Sequence, residues 1–341
     1  MQRLHDLVSQ AWTSQSTKPS SIVFVKKSFD ISRLVASGKF FPHQIYQKAR
    51  DTLKTELQYQ WQIMGRGGPG LTIHVRFVTA TVNTQTITRA KSIIADCIVF
   101  VDTLLKIRRA PVEYDNLYIT LLDIDAPKVV RWADTPDPTN VNTGFTWGDM
   151  IYVYRHEEMC KVLIHELVHY WNFHLPSLPD KEQQARAVFR VSDLNFNEGY
   201  VDSLAVVLYT SLMSLKTGKQ FKELWDQQYD HVMYQALCVS MNYLAVQQSH
   251  IGDEIKEKTN TMSYYVVKAA LYSAKKSYWD LLTSGDVNYS LTGNIDATRQ
   301  FYDILLYQIT DTKSDFWKRL RQVHKQRGVC RDGDTMAMTR V

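Results

Sequence analysis

The hydrophobic period of this chain changes once, and that change limits what it can fold into. Up to about residue 156, apolar residues alternate in short strand-like runs separated by helical stretches. Residues 22–26 (IVFVK), 71–79, 117–122 and 150–154 are predicted strands. Helical spacing runs from His43 to about Gln62 through Ile45, Ala49, Leu53, Leu57 and Trp61, and again over Thr86–Arg108. The breaker cluster from Gly65 to Gly70 separates the first of these helices from the second strand. Pro127, Pro136 and Pro138 mark 124–149 as a loop. From Glu157 onward the period is helical almost throughout, with helices expected near 157–174, 180–190, 196–216, 219–249, 261–284, 297–310 and 313–326. Strands mixed with helices, then helices alone, predict an α+β protein. The expected N-terminal lobe, residues 1–155, holds a small mixed sheet. The expected second lobe, 156–341, is mostly helical. Clefts between lobes are common places for catalysis.

Composition narrows the function classes. The chain has 341 residues, long for one compact core. It contains no run of the roughly 18 apolar residues that a membrane span needs. The N-terminal run MQRLHDLVSQAWTSQ is amphipathic and does not read as a secretory signal. The expected location is the cytoplasm or a virus particle. Cys97, Cys160, Cys238 and Cys330 are far apart and form no C-x-x-C pair. This disfavours a thiolate zinc site and a disulfide scaffold, and predicts reduced thiols. The net charge is +5, and Lys313, Lys318, Arg319, Arg321, Lys325, Arg327, Arg331 and Arg340 cluster near the C-terminus. Such a run is more often a solvated helix face than a nucleic-acid contact, so nucleic acid is a disfavoured partner.

The run Lys161-Val-Leu-Ile-His165-Glu166-Leu-Val-His169-Tyr170-Trp171 contains H-E-x-x-H. On a helix, residues i and i+4 share a face, so both imidazoles can reach one ion. Glu166 then stands beside a water on that ion and can act as a base. A chance match is expected in about 1% of chains of this composition. Val162, Leu163, Ile164, Leu167 and Val168 would bury the rest of the helix, and an unsatisfied buried imidazole pair would be costly.

The third ligand separates the known classes. In H-E-x-x-H-x-x-G-x-x-H, Gly and His would fall where Asn172 and Leu175 stand, and His174 is out of register. Downstream, Asn197-Glu198-Gly199-Tyr200-Val201-Asp202 puts Glu198 and Asp202 on one helix face. Glu198 can ligate the ion. Asp202 can accept a hydrogen bond from the far nitrogen of His165 or His169.

H-E-x-x-H followed by N-E-x-x-x-D resembles the gluzincin metallopeptidases, the thermolysin-like group. The resemblance covers about 60 residues, from Asn142 to Asp202. It implies Zn2+ held by His165, His169 and Glu198, with Glu166 as general base and Asp202 supporting a ligand. It further implies a gluzincin-like arrangement with the zinc between the lobes, a peptide or protein substrate, and an edge strand near the active helix that pairs with extended peptide. Either Asn142–Thr146 or Met150–Tyr154 could be that strand. The wording at 141–146 and 155–158 also looks like metallopeptidases encoded by large DNA viruses. A gluzincin needs a Tyr or His that stabilises the oxyanion. Tyr264, Tyr265, His231 and His250 are candidates in the helical lobe. The competing reading is a structural or interaction component of a large assembly that retains the zinc site.

Overall fold

The structure is a computed structural model that describes residues 2–15, 22–34, 41–63, 70–107, 115–128, 136–191, 194–249, 255, 257–283 and 293–328. The chain is mixed α+β, as its period change predicts. It divides into two units. One comprises 2–127 and 142–171, the other 128–141 and 172–341. This partition departs from a single cut at residue 155, because the H-E-x-x-H helix groups with the sheet.

The α/β unit contains α1 (Gln2–Gln15), β1 (Val25–Ser28), α2 (His43–Thr52), β2 (Thr55–Ile63), β3 (Leu71–Thr79), α3 (Thr84–Ile107) and β4 (Asn116–Leu122). After the excursion of 128–141 it continues with β5 (Gly144–Trp147), β6 (Met150–Val153) and α5 (Met159–Tyr170). Its six strands are ordered β1-β2-β3-β4-β6-β5. The pairs β3–β4 and β4–β6 are parallel, and the others are antiparallel. The expected loop at 124–149 thus ends in a strand, and that strand closes one end of the sheet order.

The expected helix from His43 to Gln62 is two elements. It ends at Thr52, and Thr55–Ile63 is a strand. Leu53, Leu57 and Trp61 are spaced by four, which is close to one helical turn and also twice the strand period. The pattern alone fits both. Thr55, Tyr59, Trp61 and Ile63 are β-branched or aromatic, and pairing with β3 over the whole length settles it as strand.

Strand register assigns the two faces of the sheet. Ile73, Leu117, Val75, Ile119, Phe77 and Leu121 share one face across β3 and β4. Ile151 and Val153 of β6 continue that face, as do Gly144 and Thr146 of β5. Helix α3 packs on β3, and α5 packs on β5 and β6. On the opposite face Val78, Leu122, Tyr152 and Phe145 form a core with Ile45, Ala49 and Leu53. Burying each of the Val, Leu, Ile and Phe side chains among them stabilises the unit by roughly 1.5–3 kcal/mol.

The other unit is helical: α4 (Pro138–Val141), α6 (Pro179–Phe189), α7 (Phe196–Thr217), α8 (Phe221–Ser249), α9 (Lys268–Ser273), α10 (Lys276–Thr283), α11 (Ile295–Thr310) and α12 (Asp315–Arg327). The expected helix at 261–284 is broken. It opens as a π-helical turn, Ser263–Val267, and Lys275 adopts φ 46°, which ends α9. No described helix is long and apolar enough to cross a membrane. Several cations of the basic C-terminal run are engaged within the unit. Arg319 pairs with Asp230, Lys318 lies 3.7 Å from Asp315, and Arg327 stands over the Tyr234 ring. Arg331 and Arg340 lie outside the described residues. One cysteine expectation is corrected. Cys238 is disulfide-bonded, while Cys97 and Cys160 are free thiols. Sequence spacing says nothing of which sulfurs approach in space.

Arg155 links three parts of the α/β unit. It is buried, its Nε donates to the Asn142 carbonyl at 2.8 Å, and its Nη1 donates to the carbonyls of Ala126 and Pro127. Arg155→Met removes these donors while filling similar space. It should destabilise the fold by about 3 kcal/mol or more, because buried acceptors are left unpaired. Urea denaturation measures this, and an unchanged midpoint would show that water replaces the guanidinium.

Candidate metal centre

Helix α5 is buried along nearly its whole length because Val162, Leu163, Ile164, Leu167 and Val168 pack inward as their spacing predicts. His165 and Glu166 are each only 5% exposed. The helix stops just beyond His169. Trp171 caps it, and Asn172 takes the left-handed conformation at φ 56°, which Asn tolerates better than most residues. The expected continuation to residue 174 is therefore absent.

The two imidazoles face each other, with 3.1 Å between their Nε2 atoms and the ring planes inclined by 70°. Two nitrogens sharing one tetrahedral ion at about 2.0–2.1 Å lie about 3.3 Å apart. The observed separation is close to that value. Ligand atoms of His165, His169 and Glu198 all lie within 4.8 Å of one another. Two imidazoles and one carboxylate form a donor set that suits a divalent ion and leaves a fourth position open. The residues present therefore fit a metal.

Glu198 sits in the first turn of α7, where the helix dipole favours an anion. Asn195 caps that helix, its Oδ1 accepting from Asn197 N at 3.1 Å. The Asn197 side chain in turn accepts from Leu175 N at 3.0 Å, which ties the segment after α5 to the start of α7. Asp202, one turn beyond Glu198, is fully buried. Its Oδ2 accepts from the equally buried Lys268 Nζ at 2.6 Å.

Glu166 is oriented by β5. Thr146 Oγ1 donates to Glu166 Oε2 at 2.8 Å and stands 3.1 Å from the Glu166 backbone oxygen. Gly144, two residues earlier on the same face, lets the strand come close. A Cβ there would lie 2.7 Å from Tyr152 O, 2.9 Å from Val162 Cγ1 and 3.1 Å from Glu166 Oε1. Tyr154 is buried near this carboxylate. Burial pushes its phenol well above the usual range, and the Glu166 charge adds to the shift against the opposing effect of Arg155. It stays a neutral hydroxyl at physiological pH.

Sequence reasoning placed the Asn142–Thr146 run near the site through a resemblance, and missed these contacts. The signal was strand alternation: Gly144 and Thr146 on one face, Phe145 on the other. Lys268 was also missed, and nothing local marks it. Of the proposed oxyanion donors, Tyr265 and His231 are buried and Tyr264 is half-buried. His250 lies outside the described residues. No protein-family model matches this chain, and neither the curated proteins nor the solved structures contain a match.

Gly144→Val tests the packing of β5 on α5. The added side chain meets backbone oxygen at a distance no real Cβ adopts. The expected loss is about 1–3 kcal/mol or more, typical of overpacking. Thermal unfolding without added metal reads it, and a native midpoint would mean that β5 can retreat freely.

Proposed function

We propose that the protein is a zinc-dependent hydrolase acting on peptide or amide bonds. The supporting observation is the convergence of His165, His169 and Glu198 ligand atoms within 4.8 Å, beside a carboxylate that a neighbouring strand holds in place. Two histidines and a carboxylate are a donor set that catalytic zinc sites use. When bound, zinc polarises a carbonyl oxygen and acidifies water.

The chain's own residues carry the proton. Glu166 accepts it from the attacking water at one carboxylate oxygen, and later delivers it to the leaving amine. The Thr146 hydroxyl donates to Oε2 and so fixes how the carboxylate is turned. Burial of the helix excludes bulk water and strengthens each of these interactions. The gluzincin likeness, carried by H-E-x-x-H and N-E-x-x-x-D, supports peptide substrates. The competing reading is a retained structural metal site in a larger assembly.

The experiment begins with zinc content. Native protein should carry close to one zinc per chain, and His165→Ala or His169→Ala should abolish it. Zinc-free native protein, handled without chelators, would sink the proposal. Glu166→Gln should keep zinc and thermal stability while turnover of a mixed peptide library falls by roughly 10²–10⁴-fold. Equal cleavage by both proteins would refute the role of Glu166. No cleavage by either, with unfolding on chelation, would favour the structural reading.

Thr146→Val keeps the shape and removes the donor to Glu166. At full zinc occupancy, turnover should fall by roughly 10–100-fold, the usual cost of losing a supporting hydrogen bond. Native turnover would mean that helix packing alone orients Glu166.

A further inference from the structure

We infer that Lys268 is a positioning residue for the metal centre: its buried cation, carried past a π-helical turn, holds Asp202 and thereby fixes the turn of α7 that presents Glu198. The inference rests on the proposed metal centre and deepens it.

Two fastenings grip the first turns of α7, and both come from one short segment. The Lys268 N–H donates to Ser263 O, five residues back, which is the π-helical bond. A π turn holds one more residue than an α turn. Without that extra residue, the later part of the helix would be rotated by about 100° around its axis. Here the segment sets Val267 against the residue after Glu198 and Lys268 against the residue one turn beyond it. At the first contact, a Cβ on Gly199 would lie 2.7 Å from Val267 Cγ1 and 3.0 Å from Ser263 O. Only glycine admits the π turn this close. At the second, Lys268 Nζ and Asp202 Oδ2 are 2.6 Å apart with neither side chain exposed. The next residue, Ser203, is held as well: its carbonyl accepts from the Tyr272 hydroxyl at 2.7 Å, and its Oγ hydrogen-bonds the Tyr278 hydroxyl.

The charges explain why a cation is needed. Glu198 and Asp202 stand one turn apart on one face, and like charges at that spacing repel. Lys268 neutralises the deeper carboxylate.

The test is zinc affinity, measured by chelator competition on the full chain. It compares the native protein with Lys268→Met, Lys268→Arg and the pair Lys268→Met with Asp202→Asn. Lys268→Met should lose roughly 10–100-fold in affinity. Lys268→Arg, which keeps the cation, should retain most of it. Lys268→Met strands a buried carboxylate and could unfold the protein for that reason alone. The double variant removes both charges, which is often tolerated by a fold. Its thermal midpoint should return toward native while zinc affinity stays low. Native affinity in the double variant would overturn the inference, as would Lys268→Arg binding as weakly as Lys268→Met. Failure of the native protein itself to bind zinc would instead overturn the metal centre on which the inference rests.

Discussion

The burial of α5 is the constraint on which the α/β unit depends. A helix that carries two imidazoles and a carboxylate is a poor candidate for a core, because an ionised group taken from water without partners costs several kcal/mol. This one is nevertheless packed against α3, β5 and β6. Each feature around it reads as a consequence. The Thr146 hydroxyl stands in for water at Glu166. Gly144 admits the strand that brings it. Arg155 holds the Asn142 carbonyl just before that strand begins.

The helix that carries Glu198 solves a related problem differently. Its two carboxylates sit in unlike settings. Glu198 is half-buried in the first turn, where the helix dipole favours negative charge. Asp202 is wholly enclosed and has a lysine for company. Breaking such a pair by removing one member typically costs about 3–5 kcal/mol, so the deep carboxylate is tied to the fold. The gradient of burial along a single turn therefore separates a fully enclosed, ion-paired carboxylate from a half-buried one that lies near the two imidazoles.

How much of this was legible depends on the range of each signal. The H-E-x-x-H helix was readable because its period, its apolar flanks and its ligand spacing all lie within a dozen residues. The α+β class was readable from the single change of period. Strand β2 was not, since a spacing of four satisfies helix and strand alike, and only its partner β3 removes the ambiguity. The part played by Gly144 and Thr146 was half-visible, as an alternation whose facing helix the sequence does not name. Lys268 was invisible. It stands 66 residues from Asp202, and the π turn that aims it is a rare local geometry with no pattern of its own. The disulfide at Cys238 escaped for the same reason: it depends on a meeting in space, whereas spacing in sequence records only separation.

The placement of Glu166 bears most directly on whether the site is built for chemistry. A structural metal site asks for donors and closure, and gains nothing from a further carboxylate held beside it. Three donors converge among the described residues, and Glu166 is not one of them. Yet the α/β unit commits a glycine, a threonine hydroxyl and the approach of an entire strand to fixing where that carboxylate points. A buried glutamate with a purely packing role would be improved by replacement with an apolar residue, since that removes its desolvation cost. A hydrogen bond that fixes its orientation is consistent with the acid–base role proposed for it. The proposed proton transfer thus draws its support from the residues that contact Glu166 rather than from the three converging donors.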